Sequence, residues 1–143
     1  MRLGHHLKRA MTRRLRSNLY LAEALAALVG AAAAIQLDPF REALDFGSVP
    51  LRRRVVLPLE TIDELSWSVR SVARKLPFRA LCFEQGLALQ RMLRRRGVDA
   101  LLHYGLGKDE ADLIEAHVWV TAGDRVVIGE QGLDNFQSVA VFP

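Results

Sequence analysis

Apolar side chains recur every three or four residues through the first two thirds of the chain and then switch to alternation. Residues 7–36 are rich in Leu, Ala and Arg, hold no proline and one glycine, Gly30, and predict one long helix or two joined near Gly30. The pattern stops before Asp38-Pro39. Phe40 to Pro58, with Gly47, Pro50 and Arg52-Arg53-Arg54, reads as a short helical piece followed by a loop of hinge character. Thr61-Ile62-Asp63-Glu64 has the form of a capping box, in which each end satisfies an orphan N–H of the other. Ile62, Leu65, Val69, Val72 and Ala73 then keep helical spacing until Leu76-Pro77. A further helix runs from about Cys82 to Arg96. Leu81, Gln85, Leu89 and Met92-Leu93 lie along one side, Arg91 and Arg94 to Arg96 suit the C-terminal dipole, and Gly97 ends it.

Past Gly97 the period becomes that of strands. Val98 to Leu106, Glu115 to Ala122, Arg125 to Gly129 and Ser138 to Phe142 alternate, with turn residues at Gly107-Lys108-Asp109 and Gly123-Asp124. Helices first and strands afterwards predict an α+β fold with an antiparallel sheet. The expected organisation is an N-terminal helical region over residues 1–58 packing on a core over residues 59–143.

Length and composition narrow the classes. At 143 residues, half apolar and a quarter charged, the chain is one ordinary globular domain, not a disordered, collagen-like or repeat sequence. A single cysteine excludes an internal disulfide and a cysteine-based zinc finger, leaving a packed hydrophobe or a reactive thiol. The net charge of +4 conceals an asymmetry, because residues 1–99 hold 18 of the 20 Lys/Arg and 9 of the 16 Asp/Glu. The basic half carries no aromatic-interleaved cationic stretch and no zinc-ligand spacing, so nucleic acid is not the expected partner. No His-Glu-x-x-His spacing is present, and neither a metal nor a cofactor is expected. The Arg52 to Arg54 and Arg94 to Arg96 clusters read as solvated faces able to steer an acidic partner.

Arg2, Lys8, Arg9, Arg13, Arg14 and Arg16 precede the apolar run Leu19 to Ile35. Glu23 interrupts that run and alanine supplies much of it, so its insertion energy as a membrane span is weak. Removal of such a segment as a secretory signal would cost a small domain a large share of its length. The expectation is a cytoplasmic protein whose N-terminal helix docks on a partner or makes peripheral membrane contact.

The candidate chemistry starts at Cys82, in the first turn of its helix after Pro77-Phe78-Arg79-Ala80-Leu81. Unpaired N–H groups and the positive dipole end favour a thiolate there. His117 lies in the otherwise apolar Glu115-Ala116-His117-Val118-Trp119-Val120, where an imidazole is either a packed core residue or a base. A two-residue turn at Gly123-Asp124 pairs Ala122 with Arg125; counting outward sets Val120 opposite Val127, Trp119 opposite Ile128 and His117 opposite Glu130. Cys82, His117 and Glu130 then form a nucleophile, base and orienting acid. A slip of one residue brings Gly129 or Gln131 to that position, with Asp134 and Asp124 as further acids. Gln85 lies one turn beyond Cys82, and Trp119 shares the face of His117 by strand parity.

The run Leu81-Cys82-Phe83-Glu84-Gln85-Gly86-Leu87-Ala88-Leu89-Gln90-Arg91-Met92-Leu93-Arg94-Arg95-Arg96-Gly97-Val98, followed by Ala116-His117-Val118-Trp119-Val120 and Arg125-Val126-Val127, resembles the transglutaminase-like leader peptidase of lasso-peptide biosynthesis. The resemblance covers roughly residues 60–143 by motif. It implies a papain- or transglutaminase-like core in which Cys82 attacks the bond joining leader to core in a ribosomally made precursor peptide, with His117 as base. It also implies two partners. One is a small leader-recognition protein acting in trans, since residues 1–60 show no strand alternation of a fused recognition module. The other is an ATP-dependent lasso cyclase similar to asparagine synthetase. In the family an Asp follows the His by about a dozen residues, where this chain has Gly129 and then Glu130; a Ser often stands at the position of Gly86. The alternatives are a docking scaffold in which Cys82 only packs, and an acyl transferase of the transglutaminase type.

Overall fold

A computed structural model describes residues 2–143. Four helices come first: α1 (Arg2–Leu37), α2 (Phe40–Asp45), α3 (Leu59–Ala73) and α4 (Cys82–Arg94). Four strands follow, β1 (Ala100–Lys108), β2 (Ile114–Ala122), β3 (Arg125–Ile128) and β4 (Phe136–Phe142), with a short 3-10 turn at Leu133–Asn135. They form one antiparallel sheet in the order β3-β2-β1-β4. The fold is therefore α+β, helices before sheet, as the switch in hydrophobic period predicts.

Helix α4 lies on the sheet face made by Leu102, Val118 and Val120. The approach is close at Gly86, where an added Cβ would stand 2.9 Å from Cγ1 of Val118. Helix α1 crosses α3 and α4, burying Ala24, Leu28 and Ala31 with Leu65, Val69, Leu89 and Met92 in a continuous core. Gly30 is not a joint: α1 runs through it unbroken, and the Phe46 ring occupies the space that a side chain there would need, 2.6 Å from the ideal Cβ.

Three local expectations are corrected. Helix α3 starts at Leu59, because Pro58 presets the backbone and its carbonyl accepts from the N–H groups of Thr61 and Ile62. Thr61 thus lies inside the first turn, and Glu64 accepts instead from Arg16 of α1 at 2.8 Å. The segment read as a hinge is pinned at several points. Phe40 stacks on Phe83 with ring centroids 5.5 Å apart, Arg91 sits over Phe46 and donates to its carbonyl, and Arg94 Nε donates to the carbonyl of Val49. For the same reason Arg94 and Arg96 do not belong to a solvated cationic face. Arg94 is buried, bonded also to Asp99 and the carbonyl of Ala100, and Arg96 pairs with Glu23 of α1. The hydrogen bond and charge of Glu23 raise the pKa of Arg96 further.

The fourth correction concerns register. Ala122 pairs with Arg125 across the Gly123-Asp124 turn, but a bulge between Val120 and Thr121 sets Ile128, not Val127, opposite Val120. β3 ends at Ile128, so Glu130 is not carried opposite His117 by the ladder.

Candidate active site

Cys82 is the first residue of α4, partly exposed and preceded by extended Leu81. Two side chains of the first turn fix this start. Glu84 accepts from the N–H of Leu81 at 3.0 Å, and Gln85 Nε2 donates to the carbonyl of Ala80 at 2.8 Å. The acid at the helix entrance suits the dipole, and the N–H groups of the first turn have no acceptor within the helix. The N–H of Cys82 is one of these and stands beside its own sulfur, where an oxyanion donor is needed.

Cys82 and His117 line the same open cavity of about 500 Å³, together with Gln85, Ile128, Gly129 and Glu130, with Arg70 of α3 and with Arg74 at the C-terminal cap of that helix. The cavity lies beyond the end of β3. His117 shares with Trp119 the sheet parity opposite to Val118 and Val120; its ring packs 4.9 Å from Phe136 and 6.1 Å from Trp119. Its Nε2 lies 2.8 Å from the carbonyl oxygen of Gly129. A carbonyl only accepts, so Nε2 carries the proton and Nδ1 keeps the lone pair needed to receive one.

Gly129 follows His117 by twelve residues, at the spacing where the leader-peptidase resemblance calls for an Asp. Here main chain occupies the orienting position. Its φ of +84° places it in the left-handed region, and an added Cβ would stand 2.6 Å from the carbonyl oxygen of Val118 and 2.8 Å from Cβ of Trp119. No L side chain fits without moving the carbonyl that holds the imidazole.

Glu130 lines the cavity, but both its carboxylate oxygens lie 2.7 Å from Nη2 of Arg70, in an ion pair about half open to water. Asp124 and Asp134 are exposed and lie outside the cavity lining. The structure thus brings together Cys82, His117 and Glu130 as lining residues, while the hydrogen bond of the imidazole goes to Gly129. Two groups escaped the sequence reading. The Gly129 carbonyl has no side-chain signature, and Arg70 looks like any cation in the last turn of a helix. Trp119 is 5% exposed and packs between two imidazoles, His117 and His103. His103 bonds Thr121 Oγ1 at 2.8 Å, and burial holds its pKa below the ordinary histidine value. Among the described residues, no group of three His, Cys, Asp or Glu side chains is placed to hold a metal ion.

Comparison with known proteins adds one positive finding: the family model described as transglutaminase-like superfamily matches residues 7–141. No curated protein and no solved structure matches the chain. The match spans nearly the whole sequence, both the helices before Cys82 and the strands after it. The chain belongs to the transglutaminase-like superfamily.

Proposed function

We propose that this member of the transglutaminase-like superfamily is a cysteine peptidase that removes the leader from a ribosomally made lasso-peptide precursor. It works with a separate leader-recognition protein and hands the freed core to an ATP-dependent cyclase. The observation that carries the reading is that the chain's single thiol and His117 line one solvent-open cavity. The motif Leu81-Cys82-Phe83-Glu84-Gln85 and the Ala116-His117-Val118-Trp119 strand support the leader peptidase over other thiol chemistries of the fold.

In this reading Nδ1 of His117 takes the thiol proton as Cys82 Sγ bonds to the carbonyl carbon of the last leader residue. The negative oxygen of the tetrahedral adduct is met by the Cys82 N–H. As the C–N bond breaks, the imidazolium returns the proton to the departing core amine, leaving leader and enzyme joined as a thioester. Water enters through the open cavity, gives a proton to the same imidazole and attacks the thioester, which restores the thiol and releases a leader carboxylate. The Gly129 carbonyl keeps Nε2 protonated throughout and holds the ring's orientation.

The test is incubation of the chain with its recognition protein and the precursor encoded beside its gene, followed by mass spectrometry. The expected products are a leader with a free carboxylate and a core with a free amine, both lost in Cys82→Ala. Undiminished cleavage by that variant overturns the reading. An amide adduct on the leader moves the assignment to acyl transfer.

A further inference from the structure

The start of α1 stands clear of the body. Every residue from His6 to Arg16 is exposed, and from His6 on the first fully buried side chain of this helix is Ala24. On the side away from Ala24, Leu28 and Ala31, the residues Leu7, Met11, Leu15, Ala22, Leu25 and Val29 recur at helical spacing and form one outward stripe. Its large members are between 46% and 70% exposed. At 1.5 Å per residue the stripe is roughly 33 Å long.

A second element extends the same surface. Leu25 and Trp67 of α3 line one apolar groove between the two helices, with Arg74 and Lys75 beside them. Trp67 is 54% exposed. By helical spacing Lys8 and Arg14 flank the stripe, Arg9 and Arg13 lie on the other side of the exposed start of α1, Arg16 pairs with Glu64, and no acidic residue precedes Glu23 in the chain.

An apolar stripe attended by cations, with a half-exposed tryptophan at one side, has the chemistry of the boundary between headgroups and acyl chains. We propose that this face of α1 and α3 docks flat on an anionic lipid surface. The charge favours that occupant: a second copy would present a surface of the same sign, whereas an anionic leaflet attracts each Lys or Arg near it. Helix α1 is long and apolar enough to cross a membrane. Its inner side, however, pairs Glu23 with Arg96 and buries Ala24, Leu28 and Ala31 against the body, and crossing would strip those contacts. The helix lies on the surface. This docking is independent of the chemistry assigned to the cavity.

The experiment uses the full chain with phosphatidylcholine vesicles, either pure or containing about 30 mol% phosphatidylserine. Co-sedimentation is expected with the anionic vesicles only, weakening as salt rises. The emission of Trp67 should shift to the blue on binding, a shift absent in Trp67→Phe, because Trp119 is already buried. The double variant Met11→Glu, Leu15→Glu, at exposed positions whose change leaves circular dichroism unaltered, should bind at least about tenfold more weakly. Failure to sediment with anionic vesicles, equal binding to neutral ones, or a concentration-dependent dimer that hides the stripe in their place overturns the proposal.

Discussion

His117 gives its Nε2–H to the main-chain oxygen of Gly129, 2.8 Å away, while the carboxylate of the next residue, Glu130, is held by Arg70. The candidate nucleophile Cys82 and the candidate base His117 line one cavity, and the group that sets the tautomer of His117 is a peptide carbonyl. A carbonyl orients an imidazole as well as a carboxylate does but adds no full negative charge beside the imidazolium.

Gly129→Ala should be costly for its size. The backbone is in the left-handed region and the new methyl meets the carbonyl of Val118. A loss of about 1–3 kcal/mol is expected from urea unfolding. Iodoacetamide labelling of Cys82, followed by mass spectrometry in the folded protein, should also slow as the carbonyl is displaced from His117. Unchanged stability and labelling would remove Gly129 from the site.

Glu130→Gln distinguishes carbonyl from carboxylate. The ion pair with Arg70 is about half exposed, so a stability change of at most about 1 kcal/mol is expected. Labelling of Cys82 should stay within about threefold of the parent rate, since Nε2 of His117 keeps its acceptor. A fall of about a hundredfold or more would return Glu130 to the orienting role that the hairpin count assigned to it.

His103 titrates below the ordinary histidine value, because burial beside Trp119 and Thr121 disfavours its charged form. Its folded pKa being depressed, the unfolded chain binds more protons between that value and about 6.5, and stability rises with pH across the window. This contribution is absent as a penalty above about 6.5 and grows as pH falls toward the folded value. The Cε1 proton resonance of His103 should therefore show a midpoint below 6.5, and His103→Gln should lose less stability on mild acidification than the parent. A midpoint at or above the ordinary value would contradict the burial.

Gly86→Ser introduces the residue that the leader-peptidase resemblance places there. The Cβ would stand 2.9 Å from Val118 Cγ1 and 3.5 Å from Leu102 Cδ1, so α4 must lift from the sheet or the valine must turn. A loss of about 1–3 kcal/mol is expected in denaturant unfolding. A neutral result would mean that the helix-to-sheet spacing is looser than the contact distances imply.

Much of the fold was readable along the chain, for reasons particular to certain residues. The change from three-and-four spacing to alternation at Gly97 separates helices from strands, and the positive φ of Gly97 and Gly123 falls where glycine marked a helix end and a hairpin turn. Cys82 at the start of α4 was also legible, since an apolar helix following a Pro-containing connection has only one place to begin.

What the sequence by itself determined is the order of elements, the α+β class and the addresses of the one thiol and the strand histidine, because each depends on local period and turn chemistry. The tertiary structure decided which group orients His117. A bulge between Val120 and Thr121 shifts the partner strand by one residue, and counting by strand parity from the turn carries no signal of it. It also decided that Arg94 is a buried brace, that Arg96 is a partly buried one and that Arg70 holds Glu130, since a cation's role depends on which distant acid or carbonyl the fold brings within reach.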